Sequence, residues 1–264
     1  MSAGILPELM ANERLARTIL QVRPAFVGSW LKRLFRLHRI EASTPVGRLW
    51  LDPASNFGSR MLSGESYEPS MTAALRESWQ LGGSFLDIGA NEGYFCLLAS
   101  EALGPKGTIL AVEPQGRLQE VLHRNFHFNK VRAEVVKVGL ASQPGTAELN
   151  LFPDTNTGAT SFARPVSYKL PTETVEVTTL DALLEGRSHF DVAKVDIEGF
   201  EAEMFRGATR VLADRQVKRW VIELHPDILG SRGESVDTVR SLLTEQGYEW
   251  TRPEPDLAVA TLPG

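Results

Sequence analysis

Residues 84–95 read Ser-Phe-Leu-Asp-Ile-Gly-Ala-Asn-Glu-Gly-Tyr-Phe: an apolar run carries Asp87, and Gly89 to Gly93 separate it from the start of a helical pattern. A glycine turn between a strand and a helix lets the backbone approach a ligand that a Cβ would block. About two dozen residues on, Thr108-Ile109-Leu110-Ala111-Val112 ends in Glu113-Pro114. A carboxylate at the tip of a second strand can accept hydrogen bonds from both ribose hydroxyls of an adenosine cofactor. Two more apolar runs end in polar clusters, Asp196-Ile197-Glu198-Gly199 and Glu223-Leu224-His225-Pro226. The expected chemistry is nucleoside-cofactor binding beside a group of proton-accepting side chains.

The spacing Gly89-x-x-x-Gly93 lacks the third glycine of the dinucleotide fingerprint. Asp87 also precedes the turn, and a carboxylate repels the pyrophosphate that such a turn would hold. S-adenosylmethionine has no phosphate and carries an ammonium and a sulfonium, so an acidic first turn suits it. It is the expected cofactor, and a nicotinamide-dependent dehydrogenase is disfavoured. Asp87 either acts on the amino-acid end of that ligand, directly or through water, or holds the turn. Asn91 and the backbones of Gly89 and Gly93 are expected to line the pocket.

Methyl transfer from a sulfonium is an in-line displacement, so the protein must align acceptor and methyl and exclude water. An alcohol is a poor nucleophile, and a base near its oxygen helps. Asp196, Glu198, Glu223 and His225 are the candidate catalytic groups. Asp196 is the first choice, because it ends the central strand. His225 has an ordinary pKa near working pH, although a strand-end histidine can equally serve the backbone. Glu198 and Glu201 can instead cap the helix after Gly199. The same cluster offers the oxygen and nitrogen groups a divalent ion accepts, but spacing alone assigns no metal ligand. His123 and His127, four apart on a predicted helix, read as a solvated face rather than a zinc pair.

These side chains need strand ends to carry them. The pattern predicts strands over 84–88, 108–112, 133–138, 190–195 and 218–223, alternating with helices over 93–103, 115–128 and from about 200. A helix at 70–80 precedes them; a helix at 234–246 and strands at 247–251 and 257–261 close the chain. Possible strands at 146–152 and 173–178 flank a polar loop, Asp154 to Phe162, placed to close over a ligand. Short strands and turns are expected over 47–62, and helices over 5–20 and 26–38. Alternation of this kind implies a mainly parallel α/β sheet with helices on both faces. Ligands then bind outside the carboxyl ends of the strands, where Asp87, Glu113, Gly139, Asp196 and Glu223 all fall.

Composition narrows the classes further. The chain has 264 residues, net charge −5 and 42% apolar residues. Its acidic balance argues against a nucleic-acid partner, as does the lack of an Asn-Pro-Pro-Tyr-type base-flipping motif after the fourth strand. The first 40 residues are the exception, with seven basic residues (Arg14, Arg17, Arg23, Lys32, Arg33, Arg36, Arg39) against Glu8 and Glu13. A solvated helix face is the simplest reading of that segment, which can also form a lid or a homo-oligomer contact. Cys96 is the single cysteine, so no intrachain disulfide forms; a buried thiol is expected. Arg23 and Pro24 interrupt the only apolar stretch near the start, too short to span a bilayer. No signal-peptide pattern is evident, and a cytoplasmic enzyme without membrane insertion is expected.

Taken together, Gly64-Glu65-Ser66-Tyr67-Glu68-Pro69, the run from Phe85 to Phe95, Lys194-Val195-Asp196-Ile197-Glu198-Gly199-Phe200-Glu201 and Ile222-Glu223-Leu224-His225-Pro226 resemble the FkbM family of class I methyltransferases. The resemblance covers roughly residues 60–228, with the markers in the same order. It implies a Rossmann-like seven-stranded sheet over residues 46–264, with residues 1–45 as an N-terminal helical extension. It further implies S-adenosylmethionine-dependent O-methylation of a small hydroxylated acceptor: a sugar, a polyketide or another natural product. A metal-assisted variant and a non-catalytic scaffold are the alternatives. By position, Asp87, Gly89, Ala90, Asn91 and Gly93 form the cofactor turn, and Glu113 with Pro114 meets the ribose. Gly139 and Leu140 lie near the adenine, Asp196 stands by the methyl group, and Tyr67 with Glu68 closes the other side. Glu92 departs from the small or apolar residue usual at its place; the dipole at a helix start tolerates a negative charge there.

Overall fold

The computed structural model describes residues 37–79, 83–162 and 169–264, together with Thr18, Val27, Leu31, Lys32, Leu34 and Phe35. The helices expected over 5–20 and 26–38 therefore lie largely outside the described residues.

A hairpin opens the described chain: β1 (Ile40–Thr44) pairs antiparallel with β2 (Gly47–Leu51). The boundary expected after residue 45 falls in its turn. Two helices follow, α1 (Asn56–Ser63) and α2 (Pro69–Trp79). The sheet proper then begins with β3 (Ser84–Ile88), α3 (Tyr94–Leu103), β4 (Thr108–Val112), α4 (Gly116–Asn129) and β5 (Ala133–Val136). An insertion comes next, with β6 (Gly139–Leu140), β7 (Gly145–Asn150), a 3₁₀ turn over Asp154–Ala159, β8 (Thr172–Thr178) and α5 (Leu180–Leu183). The second half runs through β9 (Phe190–Val195), α6 (Glu201–Arg206), α7 (Thr209–Ala213), β10 (Val217–Glu223), α8 (Pro226–Ser231) and α9 (Val236–Thr244). It ends in β11 (Glu249–Glu254) and β12 (Leu257–Thr261).

Seven strands form one sheet in the order β11-β12-β10-β9-β3-β4-β5. The five from β10 to β5 are mutually parallel, and β12 enters antiparallel between β10 and β11. The chain winds outward from β3 to β5 and returns to β9 beside β3. That reversal is the switch point at which open α/β sheets bind ligands. Burial of both faces explains the apolar strands. Leu86 and Ile88 of β3 join Ala193 and Val195 of β9 and Trp220 and Ile222 of β10 in one core. Phe85, Val192 and Val221 point the other way, into a core with α1, α2 and α3. The smaller sheet, β6-β8-β7, stands beside the carboxyl edge.

Within the described residues the strands and helices expected from residue 70 onward form, α5 and α8 are additional to them, and one expected region differs in type. Residues 56–63, expected among short strands and turns, are the helix α1. Ser55 caps it by accepting from the Gly58 N–H, and Gly64 ends it with a left-handed φ of 74°. Those two residues are ordinary helix boundary signals; the Gly-Ser content between them weakens the helical pattern. Among the described residues no helix is long and apolar enough to cross a membrane.

Candidate active site

Parallel β3, β4, β5, β9 and β10 all end on the same side of the sheet, and their last residues surround an open cleft. One half, about 580 Å³, is walled by the turn after β3, the β4 tip, β6 and the stretch after the 3₁₀ turn. Gly89, Asn91, Glu113, Pro114, Gly139, Leu140 and Asp196 line it, as expected from the sequence. Val112, Val138, Leu149 and Phe162 add apolar surface that the sequence reading did not assign. Phe162 lies where a Cβ on Gly139 would come within 2.7 Å of its ring, so this glycine makes room for the aromatic wall.

Asp87, Ala90 and Gly93 stand behind the wall rather than on it. Asp87 is fully buried and is the cross-strand neighbour of Lys194 on β9. Lys194 Nζ lies 3.5 Å from Asp87 Oδ1 and 3.3 Å from Asp196 Oδ2, and donates to Gly89 O at 2.8 Å. The Cys96 thiol donates to Asp87 Oδ2 at 3.1 Å. Burial raises the Asp87 pKa, against the pull of Lys194. Burial by itself would lower the Lys194 pKa, but Asp196, Asp87, Glu68 and Glu223 outweigh it and push it up. Of the two roles weighed for Asp87, this geometry matches holding the turn, through Lys194. Gly93 caps α3 at φ 88° and abuts the Phe126 ring.

Glu113, expected from the sequence at the ribose, is buried at the tip of β4. Its Oε2 accepts from Asn91 N at 2.8 Å and its Oε1 from Gln115 N at 2.9 Å. Each oxygen keeps a further lone pair for a hydroxyl donor. Burial pushes the carboxyl up to about 7, in spite of those two backbone donors. Above the slot, the 154–162 segment is tied down as a cover. Arg117 Nη1 donates to Asp154 Oδ1 at 3.0 Å, Gln115 Nε2 to Thr157 O at 3.3 Å and Ser161 Oγ to Glu198 O at 2.6 Å.

Past Asp196 the cleft widens into a polar half of about 1100 Å³. Tyr67, Glu68, Asp196, Glu198 and Glu223 wall it, with Asn56, Ser59 and Arg60 of α1 opposite. The α1 residues escaped the sequence reading because that helix did. Three residues on this wall, Glu68, Asn91 and Glu198, hold left-handed φ values of 41°, 48° and 52°, a conformation uncommon outside glycine and frequent at functional sites.

His225 leaves the tip of β10 between two carboxylates. Its Nδ1 lies 2.8 Å from Glu201 Oε1 and its Nε2 3.4 Å from Glu198 Oε2. Burial would lower the imidazole pKa; the Glu201 hydrogen bond and surrounding carboxylates raise it to about 9. Glu223 and Glu68 are both pushed up, first by burial and then by Asp196. Three of the four candidate catalytic groups, Asp196, Glu198 and Glu223, thus line one cleft with Glu68, and His225 stands against Glu198 without lining it. His123 and His127 lie exposed on α4, in neither of the candidate ligand groups found among the described residues.

The model of the methyltransferase FkbM domain matches residues 87–250, more than half of the chain. Methyltransferase sdnD of Sordaria araneosa is 27% identical over 205 residues, which is 66% of this chain and 76% of that protein. Among solved structures, Aeropyrum pernix fibrillarin in complex with S-adenosyl-L-methionine aligns at 14% identity and TM-score 0.42, covering 73% of each chain. The ribosomal protein L11 methylase of Lactobacillus delbrueckii subsp. bulgaricus aligns at 11% identity and TM-score 0.44, covering 74% of this chain and 79% of that one. Glu113 and the apolar side chains of Val112, Val138, Leu140, Leu149 and Phe162 line the same half of the cleft. With its strand order, glycine turn and matched domain, the chain belongs to the FkbM methyltransferase family, Rossmann-like enzymes that use S-adenosylmethionine.

Proposed function

We propose that this protein methylates a hydroxyl oxygen of a small polar acceptor in the cytoplasm, a sugar or another hydroxylated natural product. The observation that carries the reading is the continuity of the two cleft halves at Asp196. The apolar half opens there onto a wall of carboxylates, hydroxyls and amides. S-adenosylmethionine supplies an electrophilic methyl group on a sulfonium sulfur. The protein's part is to place the acceptor oxygen in line and take its proton. Asp196 stands where the halves meet and is the first candidate for that proton. Glu68, Glu223 and Glu198 offer hydrogen-bond partners for neighbouring hydroxyls. A polyhydroxylated ligand satisfies such a wall, whereas a wholly apolar one leaves its polar groups unpaired, at a cost of about 1–3 kcal/mol each.

The test is calorimetry with S-adenosylmethionine, S-adenosylhomocysteine and NAD, followed by an acceptor screen of sugars and polyketides. The expected result is binding of the first two only, then methyl-ether formation that falls at least about a hundredfold in Asp196→Asn. Unchanged turnover in that variant would remove Asp196 from its role. Failure of both methionine-derived ligands to bind would overturn the enzymatic reading.

A further inference from the structure

We propose that Asp196, Glu198 and His225 form a divalent-cation site on the wall of the acceptor cleft. Each supplies one ligand atom, and the three atoms lie within 4.8 Å of one another. They come from two segments of the chain: Asp196 and Glu198 from the turn after β9, and His225 from the end of β10. Two carboxylates and one imidazole suit a first-row divalent ion such as Mn²⁺ better than an all-oxygen calcium cage.

The histidine is oriented for this task. Glu201 is fully buried behind the cleft, and its Oε1 meets His225 Nδ1 at 2.8 Å while accepting from Gly199 N at 3.0 Å. That leaves Nε2 on the side of Glu198. A metal-ligating histidine characteristically gives its other ring N–H to a carboxylate, which fixes ring and tautomer. A second, independent feature lies across Asp196. Glu68 and Glu223 form another set of three around the same aspartate. Glu68 Oε2 is buried without a hydrogen-bond partner among the described residues. A buried carboxylate oxygen with no donor calls for a cation or a donor to compensate it. Lys194 is already shared among Gly89 O, Asp87 and Asp196.

The role of such an ion rests on the methyl-transfer reading; its binding does not. An acceptor hydroxyl that ligates the ion becomes more acidic and is held beside the cofactor slot. Its proton passes to the Asp196 carboxylate, which gives the ion one oxygen and keeps the other. The oxygen pair forms the new O–C bond as the S–C bond breaks with its electrons left on sulfur.

The experiment is titration of the full chain with Mn²⁺, followed by electron paramagnetic resonance and calorimetry, with S-adenosylhomocysteine binding measured on every variant. One Mn²⁺ per chain is expected. His225→Ala and Glu198→Gln should each weaken it at least about tenfold, and Glu201→Gln by about 10–100-fold, with S-adenosylhomocysteine affinity retained. Mn²⁺ that stays free at millimolar concentration, or that binds equally well to His225→Ala, would overturn the proposal. Retained S-adenosylhomocysteine binding in that case leaves the cofactor reading standing. Mn²⁺ binding without S-adenosylhomocysteine binding would uphold the metal site and remove the cofactor reading.

Discussion

Arg39 grips Glu92 with both guanidinium nitrogens, Nη1 to Oε2 at 2.7 Å and Nη2 to Oε1 at 3.0 Å. Glu92 is buried in the turn between β3 and α3. The same Nη1 also donates to Trp50 O at 3.2 Å. Asn125 of α4 completes the junction, accepting from Trp50 N at 2.7 Å and donating to Glu92 O at 2.9 Å. The unusual acid in the cofactor turn is thus matched by a base from before β1, over and above any help from the dipole of α3. The segment ahead of the sheet is fastened to the glycine turn between β3 and α3.

Removing one partner of a buried pair strands the other. Arg39→Ala should therefore cost about 3–5 kcal/mol, read as a fall in the urea midpoint. Adding Glu92→Ala should recover most of that loss, because no unpaired charge then remains. A single-variant cost below about 0.5 kcal/mol would mean that water reaches Glu92 and the pair is worth no more than a surface one.

As the proposed ribose partner, Glu113 should make cofactor affinity pH-dependent. Its carboxyl titrates near 7 rather than at the ordinary value, because burial disfavours the charge. For stability the sign is negative: the folded state holds this proton more tightly than the unfolded chain. The neutral form's contribution is therefore complete below the unfolded value and is lost as the pH rises through about 7. For binding the sign is opposite, since only the ionised carboxylate accepts from both ribose hydroxyls. S-adenosylhomocysteine affinity should rise by up to about tenfold per pH unit below 7 and level off above. Calorimetry on Glu113→Gln should give a weaker, flatter profile, and a wild-type profile equally flat would exclude Glu113 as the ribose partner.

Gly89 admits no side chain. Its φ is 81°, and an added Cβ would lie 1.9 Å from Asp196 O. The turn after β3 and the tip of β9 touch there, so Gly89→Ala must move Asp196 or the glycine turn. A loss of about 3 kcal/mol or more is expected, together with S-adenosylhomocysteine binding. An alanine variant of native melting temperature and affinity would show that the two strand tips move apart freely.

Much of this molecule is readable from local pattern. Apolar runs from β3 to β10, each ending in Asp, Glu or a glycine turn, specify parallel strands with polar tips, because a strand buried on both faces leaves only its ends for chemistry. Strand tips on one edge then bring Glu113, Asp196, Glu223 and His225 together. Helix α1 was not readable, since Gly58 and its serines lower helix propensity; tertiary contact requires that glycine, where a Cβ would come 1.9 Å from Asp52 O. The polar wall formed by Asn56, Ser59 and Arg60 was lost with it.

Sequence by itself determined the class of fold and the strand-end positions of Glu113, Asp196 and Glu223, because those follow from period, glycine position and strand order. Tertiary structure alone decided what each group does there. Asp87 and Asp196 both belong to strand-end motifs, yet Asp87 is sealed against Lys194 and Cys96 while Asp196 opens onto the polar half of the cleft. Glu92 and Glu201 are both acids within two residues of a glycine, and only packing assigns one to Arg39 and the other to His225. Charge partners lie 24 to 53 residues apart along the chain in those two pairs, and local pattern carries no information over such a separation.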